Sequence, residues 1–191
     1  VGRMGYSQSY ITIDPSEYHV LHPRPAYLIV SVDKNGSLNA MAASWVMPVN
    51  DEPFILALAL DKETKTYQNL VETGEFTVNV MGEEHAALVY RAGSLSGKNT
   101  DKWRLLKLEP QPSKQVRAPG VKGSYGFLEC RVERFLDVES VSLVLARVLA
   151  IHVRGDLYEK YSWNLEKARI LMHVRGRVFT VPGKIIIVPK S

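Results

Sequence analysis

The sequence predicts a mainly β chain, a β-rich α+β domain, and three observations carry that reading. Apolar residues fall in short runs or in alternation rather than at helical spacing. Turn residues punctuate those runs along the whole length. Only a few short stretches keep a helix-like pattern. Many short strands with exposed edges favour closure, so the sheet is expected to form an antiparallel barrel with a few short helices.

The elements follow in order. Ala26 to Val32 reads as a strand, and Asn35-Gly36 after it is a tight-turn signal, because both residues tolerate positive φ. Leu38 to Val46 is expected to return antiparallel. Pro48 and Pro53 flank an expected loop, and Phe54 to Leu60 is apolar enough for a strand buried on both faces. Lys65 to Thr73 has a helix pattern, with Thr64 or Thr66 as cap and Gly74 as stop. Glu75 to Val80 alternates strictly. Glu83 to Tyr90 predicts a second short helix, and Ala92 to Asp101, rich in Gly and Ser, a surface loop.

Residues 109–125 carry three prolines and two glycines and read as an irregular connector. Phe127 to Leu136 and Ser142 to Val153 are two long strands, and Gly155 to Leu165 is loop with one helical turn at most. Three short strands are expected in the tail: Ile170 to Val174, Arg177 to Thr180 and Lys184 to Val188.

At 191 residues the chain fits one domain. No apolar run approaches the length that spans a membrane. The start, Val1-Gly2-Arg3-Met4-Gly5-Tyr6, lacks the apolar core of a secretion signal and is expected to be disordered. A single cysteine, Cys130, excludes an intramolecular disulfide and a thiolate cluster within one chain. It sits in an alternating strand pattern and is expected to be a buried structural thiol. A reducing, cytoplasmic setting follows. The net charge of +4 comes from dispersed basic residues without a dense block, so neither nucleic acid nor membrane is expected as partner. With seven Asn and four Gln, the amide content is low, a weak thermophile signal.

Several chemical motifs are absent: the dinucleotide glycine fingerprint, the P-loop, the nucleophile elbow and the zincin helix. The five histidines are scattered, so no metal site is expected; His152 and His173 read as structural or rim residues. Two segments suit ligand binding. In Asn39-Ala40-Met41-Ala42-Ala43-Ser44-Trp45, small side chains let a ligand approach the backbone, Ser44 offers a hydroxyl and Trp45 an aromatic wall. The same run also suits a tightly packed strand with a core Trp. In Asp61-Lys62-Glu63-Thr64-Lys65-Thr66, a helix start with lysines and hydroxyls suits phosphate, or equally an ordinary capped helix. Gly93-Ser94 to Lys102-Trp103 is readable as a lid or as a plain solvent loop.

The order Asn39-Ala-Met-Ala-Ala-Ser44-Trp45, then Lys65-x4-Leu70-x3-Gly74-Glu75-Phe76-x2-Asn79, resembles the flavin reductase-like, FMN-binding split-barrel family. Asp101-Lys102-Trp103, Leu128-Glu129-Cys130 and His173-Val174-Arg175-Gly176-Arg177-Val178-Phe179 agree with it, over about residues 20 to 182. The family includes flavoredoxins, archaeal ferric reductases and the reductase components of two-component monooxygenases. The resemblance implies a six-stranded antiparallel split barrel, a homodimer, and FMN at the dimer interface. It implies that the Asn39–Ala42 backbone (with Ala40 and Met41) and Ser44 meet the polar edge of the isoalloxazine, and that Trp45 borders the ring. Lys65 and Thr66, with Asp61 and Lys62 beside them, would hold the phosphate. Asn79, Gly93, Ser94, Lys102 and Trp103 would complete the pocket. The implied function is an oxidoreductase passing electrons from NAD(P)H or another donor through FMN to flavin, ferric or protein acceptors. The alternatives are a non-catalytic FMN-storage protein and, on the fold alone, a nucleic-acid-binding barrel. Many NAD(P)H-using members carry Gly-Asp-His where this chain has Glu139-Ser140-Val141, which leaves the electron donor open.

Overall fold

The computed structural model describes residues 9–189. The expected disordered start, Val1 to Tyr6, lies outside the described residues. After a 3-10 turn over Tyr18–Leu21 come β1 (Arg24–Pro25), β2 (Tyr27–Val32), β3 (Leu38–Ala43), β4 (Val46–Asn50) and β5 (Ile55–Asp61). Helix α1 (Lys65–Thr73) leads into β6 (Glu75–Val80). A 3-10 turn over Glu83–His85 runs into α2 (Ala86–Ser94), followed by α3 (Lys102–Leu105). Two short strands, β7 (Pro110–Gln111) and β8 (Gly120–Val121), precede the long pair β9 (Gly126–Val138) and β10 (Val141–Val153). The hairpin β11 (Met172–Arg175) and β12 (Val178–Thr180) follows.

Seven strands form one antiparallel sheet in the order β3-β2-β6-β9-β10-β5-β4. Its two outer strands, β3 and β4, are successive in the chain and joined only through Ser44 and Trp45. From Ala43 to Val46 the backbone reaches at most about 11 Å, so the end of one outer strand is held close to the start of the other. The sheet is therefore rolled, and the link itself is pinned: Arg24 Nε donates to Ser44 O at 2.9 Å and Ala59 N to Trp45 O at 3.0 Å.

The local signals act as their chemistry requires. Gly36 sits at φ 88° in the β2–β3 turn, where the Asp33 carboxylate accepts the amides of Asn35 and Ser37. Thr64 caps α1 by accepting from Tyr67 N, and Gly74 ends the helix at φ 67°. Strand β2 is buried on both faces. Leu28 and Val30 join Ala40, Val89, Ala92 and Leu171 under α2, while Ile29 joins Leu56, Leu58, Phe76, Val78 and Val144 in the second core. Cys130 belongs to that second core, and burial pushes its thiol well above the ordinary range.

Four expectations are corrected. Helix α2 extends to Ser94, so Ala92–Ser94 are helical rather than loop; Ala92 is fully buried, and that packing outweighs the polar composition. Pro48 lies inside β4 instead of opening a loop, which the outermost position of that strand in the sheet permits. The irregular connector contains the β7–β8 pair. Lys184 to Val188 makes no strand among the described residues; Ile186 and Ile187 are exposed, since β propensity without a neighbouring strand makes no ladder.

Candidate functional site

Strand β3, the start of α1 and the end of α2 enclose a cavity of about 440 Å³. Asn39, Met41 and Ala42 form one wall, and Asp61, Glu63, Thr64, Lys65 and Thr66 a second. The last turn of α2 and the segment after it, from Ala92 to Gly97, form the third, with Lys102 behind. Nine residues singled out in the sequence thus meet in one place: Asn39, Met41, Ala42, Asp61, Lys65, Thr66, Gly93, Ser94 and Lys102.

Close approach explains the small residues. A Cβ on Gly93 would lie 3.2 Å from Ala42 Cβ, so helix and strand pack nearly backbone to backbone. A Cβ on Gly97 would lie 2.2 Å from Asn39 Oδ1, which seats the 95–101 segment directly on the Asn39 amide. That amide is itself fixed, because Asn39 Nδ2 donates to Thr66 Oγ1 at 3.0 Å and Asn39 is only 5% exposed. The Thr66 hydroxyl keeps its own proton for a further acceptor.

Unpaired donors gather at the start of α1, beside the carboxylates of Asp61 and Glu63. The first amides of an α-helix have no intrahelical acceptor. Thr64 Oγ1 takes that of Tyr67 at 3.1 Å, and those of Lys65 and Thr66 have no acceptor among the described residues. Lys65 Nζ stands 3.8 Å from Asp33 Oδ2, a partner that the sequence did not suggest. Lys102 is 3% exposed, and its Nζ donates to Ala92 O at 3.0 Å. Burial lowers its pKa to about 8.

Other expected site residues stand elsewhere. Ala40 is sealed in the core under α2 and does not line the cavity. Asn79 is fully buried and spent within the fold: its Nδ2 donates to Leu28 O and Thr77 Oγ1, and its Oδ1 accepts from Val121 N. Lys62 turns to the β9–β10 hairpin, donating its amide to Ser140 O and pairing its Nζ with Asp137 at 3.4 Å. Trp45 is 43% exposed, edge-on to Tyr18 at 5.3 Å, rather than walling the cavity. Trp103 lines an adjoining cavity of about 480 Å³ with Asn39, Lys65, Gly97 and Lys98. Ser44 lines another of about 310 Å³.

That last cavity shares Ala42, Gly93 and Ser94 with the first and is rimmed by Tyr18, His19, Tyr90, His173 and Phe179. The sequence marked His173 as a rim candidate but missed Tyr18 and His19, whose turn is held at the site by the β1–β11 pairing and the Tyr18–Trp45 contact. His152 is structural: its Nε2 meets Glu129 Oε1 at 2.6 Å, and Glu129 accepts the amides of Lys114, Gln115 and Val116. No group of three or more metal-ligating side chains converges among the described residues. No helix there is long and apolar enough to cross a membrane.

The flavin reductase-like domain profile matches residues 19–182. The chain belongs to that family. An uncharacterised protein of Methanothermobacter thermautotrophicus is 34% identical over 162 residues, covering 82% of this chain and 76% of the relative. The solved structure of nitrilotriacetate monooxygenase component B from Bacillus cereus is 27% identical, with a TM-score of 0.84 over 95% of this chain and all of that one. A flavin reductase with a split barrel domain from Shewanella frigidimarina superposes with a TM-score of 0.81 at 16% identity, covering 91% of each chain. That likeness concerns the fold alone, and it agrees with the rolled antiparallel sheet: this chain is a split barrel.

Membership makes a flavin the group against which the cavity is tested, and the residues fit one that carries phosphate. Free helix amides, the Thr66 hydroxyl and two lysines are donors of the kind that a phosphate would need.

Proposed function

We propose that the chain is an FMN-binding oxidoreductase. Lys65, Thr66 and the first amides of α1 hold the phosphate. Asn39, Met41, Ala42, Gly93 and Ser94 line the way to the ring, and Ser44 with the second cavity lies beyond. The observation that carries this reading is the convergence of those residues with unpaired donors in one cavity. Bound FMN would supply the redox chemistry, accepting a hydride equivalent and passing electrons on singly or in pairs. The protein's part is to bind, to orient and to keep water from the ring; no side chain need serve as acid or base.

The proposed donor is NAD(P)H, and the proposed acceptors are free flavin, ferric chelates or a protein partner. A homodimer is proposed as the working form. Exposed apolar side chains on β4, Met47 at 53% and Val49 at 50%, beside Trp45, support a second copy covering this edge. A second reading, FMN storage without turnover, draws on the Glu139-Ser140 turn, which offers no imidazole where many nicotinamide-using members have one.

The experiment is steady-state oxidation of NADH and NADPH by the FMN-loaded protein, with ferric citrate, riboflavin or oxygen as acceptor. Turnover is expected with at least one pair. A yellow protein with no turnover in any pair leaves storage as the function. Light scattering checks the dimer, and a monomer retaining FMN would contradict it.

A further inference from the structure

Lys102 stands out among the polar groups of the cavity. It opens α3, just after Asp101, and its side chain turns inward until the residue is 3% exposed. Its Nζ donates to Ala92 O at 3.0 Å. That carbonyl lies in the last turn of α2, where a helix end favours a cation. One acceptor serves only one of three ammonium donors. Lys102 makes no ion pair among the described residues.

Of the other charges on or beside this cavity, Lys65 and Glu63 are in ion pairs, while Asp61 and Asp101 accept backbone amides and stay anionic. Lys65 faces Asp33 at 3.8 Å, and Glu63 faces Lys98 at 3.4 Å. Asp61 Oδ1 accepts the Glu63 amide at 2.7 Å, and Asp101 Oδ1 accepts that of Arg104 at 3.0 Å. The β3 wall and the 92–97 wall bring no charged side chain. A buried, uncompensated ammonium therefore borders a cavity that also receives the free amides of α1.

We propose that Lys102 makes this pocket select a phosphorylated ligand, taking up a proton as the phosphate is seated. The inference rests on the FMN reading and deepens it, giving phosphate selection to a buried residue of α3. Burial lowers Lys102 to about 8, so in the ligand-free protein it sheds its charge in weakly alkaline solution. A phosphate monoester is dianionic above about pH 6 and restores the reason to stay protonated. By linkage, FMN affinity then falls by up to roughly tenfold per pH unit above about pH 8, and binding takes up a larger share of a proton at pH 8.5 than at pH 7.

Calorimetric titration of the flavin-stripped protein tests this. FMN and riboflavin are titrated separately at pH 7.0 and 8.5, in buffers of different ionisation enthalpy. FMN is expected to take up most of a proton at pH 8.5, and riboflavin almost none. Lys102→Gln keeps a donor for Ala92 O and should bind FMN weakly without proton uptake. Lys102→Arg, charged throughout, should bind FMN equally at both pH values, also without uptake. The wild-type measurement stands whatever the variants' folding. FMN binding with no uptake at pH 8.5, or equal uptake with riboflavin, overturns the assignment while leaving the FMN reading intact. No FMN binding at all overturns the FMN reading itself.

Discussion

Replacing Thr66 by Val isolates one hydroxyl at the junction of β3 and α1. In the folded protein Thr66 is fully buried, its Oγ1 accepts from Asn39 Nδ2 at 3.0 Å, and its proton is unspent. The substitution has two separable costs. Asn39 loses an acceptor inside the fold, which should lower stability by about 1–3 kcal/mol. The phosphate loses one charge-assisted hydrogen bond, worth about 1.5–3 kcal/mol, or roughly tenfold to a hundredfold in FMN affinity. Riboflavin has no phosphate, so its affinity should fall much less. Thr66→Ser keeps the hydroxyl and should restore most of both. Flavin fluorescence titration gives the affinities, and urea unfolding gives the stability. Equal losses for FMN and riboflavin, or a Ser variant as weak as the Val variant, would refute the phosphate assignment.

Three further outcomes are expected. Gly97→Ala places a Cβ about where Asn39 Oδ1 now sits, so overpacking should cost about 1–3 kcal/mol in urea unfolding and weaken FMN and riboflavin together. Glu139 holds φ 53° in the β9–β10 turn, so Glu139→Gly should raise stability by about 0.5–1 kcal/mol, seen as a higher Tm, with FMN affinity unchanged. Burial alone would raise the Glu129 carboxyl, but the Lys114 amide, His152 and the amides of Gln115 and Val116 outweigh it and hold it below the ordinary range. Its contribution is therefore complete above the unfolded value near 4.3 and lost as pH falls through the lower folded value. Acid unfolding followed by circular dichroism should show that loss in the wild type and a flatter profile in Glu129→Gln.

The strands were legible because short apolar runs, the alternation at Glu75 to Val80 and the Asn35-Gly36 turn are local signals, and β2, β3, β5, β6, β9 and β10 form where those signals lie. Helix α2 was legible in type but not in length, because Ala92 and Gly93 are held helical by packing on β3, a contact invisible along the chain. The cavity was readable in part. Asn39, Lys65 and Thr66 come from segments whose residue types match the chemistry, and their meeting needed only the β3–α1 contact. Asn79 misled because a buried Asn that ties Leu28 to Val121 looks, in sequence, like a ligand contact. Lys62 misled because its neighbour Lys65 carries the same charge, while the hairpin that captures it lies some 75 residues on. Tyr18 and His19 gave no sign of this place, since contacts distant in sequence, β1 on β11 and Tyr18 on Trp45, hold their turn beside Ala42 and Gly93.

The most direct test of the central claim is the visible spectrum of the purified protein after incubation with FMN and gel filtration. One FMN is expected to remain per chain, with an absorption band shifted from that of free flavin, and to be released unchanged on denaturation. A colourless protein that retains neither FMN nor any other flavin would contradict the account.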